Sequence, residues 1–201
     1  MKQADLRLAK PADAEKILKI LAPYVKDTAI SFEYEVPDTA EYAKKIETIS
    51  QKYPFLVCEI EGDIVGFAYA SAHNSRSAYM WNAELSVYID KNHLRLGIGH
   101  TLYSALIEIL KLQNIQNVYG GITLPNENSE WLHKSLGFEL VAVYRKTGFK
   151  LGRWHDVVWY VKHIGNHVTP PGPVIPIVDL DESEVNEVLK RNRKMVRISG
   201  R

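Results

Sequence analysis

Glu84-Leu85-Ser86-Val87-Tyr88-Ile89, followed after five polar or apolar steps by Arg95-Leu96-Gly97-Ile98-Gly99-His100, is the stretch that decides the fold. Glu84, Ser86 and Tyr88 share one face and Leu85, Val87 and Ile89 the other, the two-residue period of a strand over Tyr79–Asp90. Past the glycines, Leu102, Leu106, Ile109 and Leu110 recur at helical spacing. A strand that runs through a glycine turn into a helix leaves the first-turn N–H groups unpaired at the positive end of the dipole. The glycines let a ligand approach the backbone closely. The result is an anion site suited to a pyrophosphate.

The flanking sequence gives the rest of the sheet. Upstream, Leu6-Arg7-Leu8 reads as a strand, and Pro11 opens a helix carrying Ala14, Ile17, Leu18 and Leu21. Pro23 and the stretch Thr28–Pro37 break that pattern and form a long loop with Phe32 and Tyr34. Asp38-Thr39-Ala40-Glu41 is a capping box for a helix reaching about Gln51. Phe55–Ile60 and Ile64–Ala70 are strands around the turn Glu61-Gly62-Asp63. Downstream, Val118–Leu124 is a strand, Glu127–Leu136 a helix ended by Gly137, and Glu139–Lys146 and Asp156–Lys162 two closing strands. The order is β-α-α-β-β-β-α-β-α-β-β, an α/β fold with a mixed central sheet.

Composition narrows the function classes. The chain has 201 residues, 46% of them hydrophobic and 24% charged, with a formal net charge of +1. That balance is expected of one globular domain and offers no long-range pull on nucleic acid or an acidic membrane. The single cysteine, Cys58, cannot pair within the chain. With no apolar signal core behind Met1 and no apolar run near the ~18 residues of a membrane span, the expectation is a cytoplasmic protein. After Lys162 the composition shifts: Pro170, Pro171, Pro173 and Pro176 read as an extended linker. Asp181–Arg197 then reads as a short helix, acids first and bases last, that needs a surface to dock on.

Taken with Asn126 and Leu132-His133-Lys134-Ser135-Leu136-Gly137-Phe138, the acidic strand and glycine loop resemble the GNAT superfamily of acetyl-CoA-dependent N-acetyltransferases. Within it, the phosphinothricin and methionine sulfoximine acetyltransferase group is the nearest likeness. The stretches that carry it are Tyr53–Val57, Arg76–Glu84, Gly99–Tyr103 and Thr147–Asp156. The resemblance implies an acetyltransferase domain over residues 1–164, with 165–201 as a Pro-rich linker and helical extension. The family loop is usually Gln/Arg-x-x-Gly-x-Gly/Ala, and here Leu94 stands at its leading position. The aromatic usual before the family's Gly-Phe is His133, as in the phosphinothricin group.

The resemblance implies site roles. Glu84 is the expected base, and His133 the proton donor to the departing thiolate or an alternative base, with Tyr103 in reserve. Backbone at Val87, Tyr88 and Ile89 would pair with the pantetheine arm, and Arg95, Leu96, Gly97, Ile98, Gly99 and His100 would hold the phosphates. Asn126 reads equally as a cofactor contact and a helix N-cap. Arg76 and Tyr79 match acceptor positions, an arginine fork suiting a carboxylate or phosphinate, and Phe32 would wall the pocket. No metal is expected. The implied activity is acetylation of the α-amine of a small amino acid or analogue of the phosphinothricin, methionine sulfoximine or sulfone type, by direct attack. A homodimer is implied too. Other acceptors stay open, including a polyamine recognised by Glu33 and Glu35, another amine or a protein N-terminus, as does a non-catalytic CoA-binding module.

Overall fold

The computed structural model describes residues 4–197. Strands β1 (Ala4–Leu8), β2 (Phe55–Ile60), β3 (Asp63–Ala72), β4 (Asn82–Ile89), β5 (Asn117–Thr123), β6 (Glu139–Lys150) and β7 (Arg153–His163) form one sheet in the order β1-β2-β3-β4-β5-β7-β6. Helices α1 (Ala14–Asp27), α2 (Thr39–Ile49), α3 (Ile98–Leu112), α4 (Glu127–Ser135) and α5 (Glu182–Asn192) complete the chain. The element order up to β7 is the expected one, and the sheet is mixed: β4 and β5 are parallel and the other pairs antiparallel.

The sheet is covered on both faces, and strand alternation shows how. Phe55 and Val57 of β2 pack with Ile17, Leu21 and Val25 of α1 and Tyr42 and Ile46 of α2. Leu56 and Cys58 point the other way, into a core with Leu102, Leu106 and Ile109 of α3. Val185, Val188 and Leu189 of α5 belong to that second core.

One pairing positions the site. β4 and β5 match only at Asn82↔Asn117, Ala83↔Val118 and Glu84↔Tyr119, and then diverge although both strands continue. The Asp90 N–H donates to the Val65 C=O of β3 at 2.9 Å, whereas the Leu85 C=O accepts from the Tyr103 hydroxyl on α3. Ladder alternation therefore turns the Leu85, Val87 and Ile89 backbone groups away from β3, into the wedge between the parted strands.

Three stretches differ from expectation. Pro23 lies inside α1 and does not end it; Val25 beyond it is buried, and the Tyr24 hydroxyl donates to the Ile89 C=O at 2.6 Å. This anchoring offsets the helical bond that proline removes. Ser77–Tyr79 is a 3-10 turn, so β4 begins at Asn82. The last two strands reach much further than Lys146 and Asp156 suggest, meeting at a tight turn where Leu151 and Gly152 have φ +50° and +76°. The Pro-rich stretch is extended, and amide side chains pin it to the domain. Gln113 donates to the Ile175 C=O at 2.7 Å, and Asn114 and the Trp81 indole to the Gly172 C=O at 2.9 and 2.8 Å.

Candidate active site

The loop after β4 is held open by its own backbone. The Asp90 carboxylate accepts from the Asn92 N–H at 3.0 Å, turning the chain through Lys91–His93. Arg95 then takes φ +64° and Gly97 φ +79°, and Gly97 is the N-cap of α3. At that φ a glycine is unstrained, and it brings no side chain to satisfy the first-turn N–H groups of Ile98, Gly99 and His100. A hollow of about 270 Å³ lies over them, bordered by Ile89, Arg95, Trp131 and Leu132. Leu94 is half exposed on its rim. A diphosphate fits this donor set, because amides and dipole both favour negative charge.

The wedge between β4 and β5 holds a narrower cavity of about 70 Å³. Glu84, Val87 and Tyr88 line it from β4, Gly121 and Thr123 from β5, Asn126 and His133 from α4, and Tyr103 from α3. Residues 84 to 133 thus converge here from four elements. A third cavity of about 300 Å³ continues on the far side, walled by Ile30, Phe32, Tyr144, Val157 and Trp159. Glu84, Ile30, Gly121 and Thr123 line both, so Glu84 stands at their junction.

The titratable groups differ in state. Burial raises the Glu84 carboxyl above its ordinary value, since the ion loses hydration. Among the described residues, the His73 imidazole comes close to it, with Nδ1 3.9 Å from Oε2. The His73 ring stacks on Tyr119 with centroids 4.0 Å apart, and burial lowers its pKa. His133 is buried, burial again pushing it down, and its Nδ1 lies 2.8 Å from the Ser129 C=O. Facing a carbonyl, Nδ1 carries the proton, so Nε2 holds a lone pair. Nε2 is buried without a partner against Gly120, where a Cβ would collide with the ring. Burial raises the Tyr103 phenol, keeping its proton, which it donates to the Leu85 C=O at 3.2 Å. The Cys58 thiol is pushed up to about 12 by burial, which leaves it a packing group.

The wall of the third cavity is built at long range. The buried Lys150 ammonium donates to the Val25 C=O at 2.7 Å and the Ser31 C=O at 2.6 Å, tying the Thr28–Pro37 loop to the β6–β7 hairpin. The Tyr34 hydroxyl donates to the Phe149 C=O, and the Phe32 ring fills the space where a side chain on Gly148 would stand. Asn126 caps α4 through a 3.2 Å bond from the Ser129 N–H to Oδ1. Arg76 and Tyr79 lie exposed in the β3–β4 connection and line none of these three cavities. His73, Lys150 and Trp159 escaped the sequence reading. Their contacts depend on register and hairpin length, and no short motif announces them.

The comparisons with known proteins agree with this fold. The chain matches the acetyltransferase (GNAT) domain family over residues 6–159. It is 35% identical over 176 residues to a phosphinothricin N-acetyltransferase of Streptomyces viridochromogenes, covering 88% of this chain and 96% of that protein. It is 31% identical over 166 residues to an L-methionine sulfoximine/L-methionine sulfone acetyltransferase of Salmonella typhimurium, covering 82% and 97%. Among solved structures, a GNAT superfamily phosphinothricin acetyltransferase from Sinorhizobium meliloti, in complex with acetyl-CoA, superposes with a TM-score of 0.80 at 34% identity over 86% of this chain and 94% of that one. The matched stretch runs from β1 into β7 and so encloses the parted strands and the glycine loop whole: the chain belongs to the GNAT family of N-acetyltransferases.

Proposed function

We propose that this protein transfers an acetyl group from acetyl-CoA to the α-amine of a small amino-acid-like acceptor of the phosphinothricin, methionine sulfoximine or methionine sulfone type. The observation that carries the reading is Glu84: a carboxyl with a raised pKa at the junction of the cavity between the parted strands and an aromatic-walled one. Acetyl-CoA supplies the activated acetyl thioester. The N–H groups from Gly97 to His100, with Arg95 and Leu96, hold its diphosphate. The outward-facing backbone of Val87 and Ile89, beside Tyr88, pairs with the pantetheine arm, and Asn126 borders that arm while capping α4.

The acceptor arrives as an ammonium ion, and its nitrogen attacks only after losing a proton. Glu84 takes that proton, directly or through one water, and its raised pKa brings its basicity closer to the task. Negative charge developing on the acetyl oxygen is met by an N–H of β4 in the wedge. As the departing thiolate takes the proton of the Tyr103 phenol, the second proton of the newly acylated nitrogen restores that phenol, so the net proton lost is the one on Glu84. His133, which lines the same cavity as Glu84 and keeps a lone pair on Nε2, is the alternative base.

On the acceptor side, Phe32 walls the amino-acid body. Arg76 and Tyr79, outside the cavities of their own chain, reach the acceptor of a neighbouring subunit in a homodimer. The exposed apolar residues Leu140, Val141 and Val143 on β6, an edge strand of the sheet, support such an assembly. Sedimentation showing only monomers at working concentration would remove the dimer from the reading. A cytoplasmic, detoxifying role follows from this substrate class. A polyamine acceptor is less favoured: Glu33 and Glu35 line a separate hollow beside α2, where Glu33 faces Lys45 at 3.7 Å.

The test is thiol release from acetyl-CoA over phosphinothricin, methionine sulfoximine, methionine sulfone, ordinary amino acids, polyamines and short peptides. Turnover concentrated on the first three is the expected result. Faster turnover of polyamines or peptides would overturn the acceptor assignment, and binding without turnover on any of them would overturn the enzymatic one.

A further inference from the structure

The described part of the C-terminal extension reaches the glycine loop. Residues after 159 lie beyond the matched family region, yet the chain past α5 returns to the site. Arg193 pairs with Asp5 of β1 at 3.1 Å, and Arg191 with Glu108 of α3. Val196 packs against the core, and the Met195 C=O comes within 3.3 Å of where a Cβ on Gly97 would stand. The Arg197 N–H then donates to the Leu96 C=O at 2.9 Å.

That last bond matters because of the peptide unit it grips. The C=O of Leu96 and the N–H of Gly97 belong to one planar trans peptide and point in opposite directions. Fixing the carbonyl toward the tail fixes the Gly97 N–H toward the other side. Gly97 borders the 270 Å³ hollow over the start of α3. A glycine accepts positive and negative φ with nearly equal ease, so sequence alone does not stop this peptide from flipping. Flipped, it would present a carbonyl where a phosphate needs a donor.

We propose that the extension is a positioning element of the cofactor loop: the Arg197 N–H locks the Leu96–Gly97 peptide with its donor aimed at the phosphate site. This rests on the acetyl-CoA reading given above. In this chain, the tail supplies through backbone some of the order that Leu94, in place of Gln or Arg, cannot supply through a side chain.

Two substitutions in the full chain separate the backbone from the side chain. Arg197→Pro deletes the N–H, and Val196 already has φ −71° and ψ 123°, a conformation suited to the residue before proline. Arg197→Ala keeps the N–H and removes the guanidinium. Calorimetric titration with CoA is expected to show affinity about three- to tenfold weaker for Arg197→Pro and near wild type for Arg197→Ala, as for loss of one hydrogen bond. KM for acetyl-CoA should rise by the same factor, with kcat and the acceptor KM unchanged. In unliganded protein, amide exchange at 97–100 should be faster in Arg197→Pro alone. Equal CoA affinity in wild type and both variants overturns the proposal, and so does equal weakening by both, which would assign the effect to the side chain. Failure of wild type to bind CoA overturns the cofactor reading instead, and the exchange measurement still decides whether the tail orders the loop.

Discussion

The two halves of the cleft are made of different material. On the proposed cofactor side, residues 84–100 are contiguous and the donors are main-chain N–H groups at the end of β4 and the start of α3. On the proposed acceptor side, Phe32, Glu84, Thr123, Tyr144 and Trp159 come from a loop and four strands. Side chains form that surface, and the buried Lys150 holds its loop in place. A backbone-made site tolerates a change of side chain such as Leu94 but not a change of backbone conformation. A side-chain-made site has the opposite sensitivity, so acceptor choice can vary on a constant cofactor cleft.

Glu84 belongs to both halves, and its removal is expected to have the largest effect. Glu84→Gln keeps the shape and deletes the base, so kcat should fall by about 10²–10⁴ while CoA affinity measured by calorimetry stays within a factor of two. A matching loss of CoA affinity would show that the residue serves the cofactor side instead. The pH dependence has a definite sign. The base works ionised and burial raises its pKa, so activity should rise with pH through an apparent pKa above the ordinary glutamate value. His73→Phe keeps a ring on Tyr119 and removes the imidazole 3.9 Å from Glu84. A shift of the acid limb in that variant would identify His73 as a positioning residue, and an unmoved limb would leave it a packing group.

The next effect isolates the acceptor side. Lys150→Met deletes two charge-assisted bonds and leaves the Val25 and Ser31 carbonyls without this donor. A cost of about 2–4 kcal/mol in stability follows, read as a lower denaturation midpoint. The acceptor KM should rise more than the acetyl-CoA KM, because both hydrogen bonds of the Lys150 ammonium go to the end of α1 and the Thr28–Pro37 loop. Equal changes in the two would mean that the halves are mechanically one unit.

How much of this was legible in the sequence follows the same division. The glycine loop, the strand before it and α3 were readable because local chemistry decides them: alternation, a glycine at positive φ, and apolar residues at helical spacing. Asp38 was readable as a cap, and its side chain does accept from the Glu41 N–H. Pro23 misled, because long-range burial of Val25 and the Tyr24–Ile89 bond outweigh a local breaker. His73 meets Glu84 through the pairing of Ser71 with Glu84 and the close of β3, a register that no neighbouring residue announces. Lys150 looks like an ordinary strand cation until the length of the β6–β7 hairpin carries it under the loop. The tail showed its need for a docking surface, but not that it would reach Leu96.

Backbone substitution tests the cofactor side from within. Gly97→Ala forces a Cβ at φ +79° and sets it 3.3 Å from the Met195 C=O, at a cost of about 1–2 kcal/mol. Weaker CoA binding by roughly tenfold is the expected outcome, with an unchanged acceptor preference in the turnover panel. A changed preference would break the division between the halves.

Leu94→Gln is the mildest probe and the sharpest on one point. Leu94 is half exposed on the rim of the phosphate hollow, so an amide there adds a donor without disturbing a core. One added hydrogen bond to the cofactor should tighten CoA binding about two- to fivefold, with the acceptor KM and kcat unaltered. If the loop is already ordered by the tail, the gain should be larger in Arg197→Pro than in the wild-type background, since two devices serving one loop are partly redundant. Equal gains in the two backgrounds would mean that side chain and tail act independently, the Leu94 position contributing only a contact and the tail only an orientation.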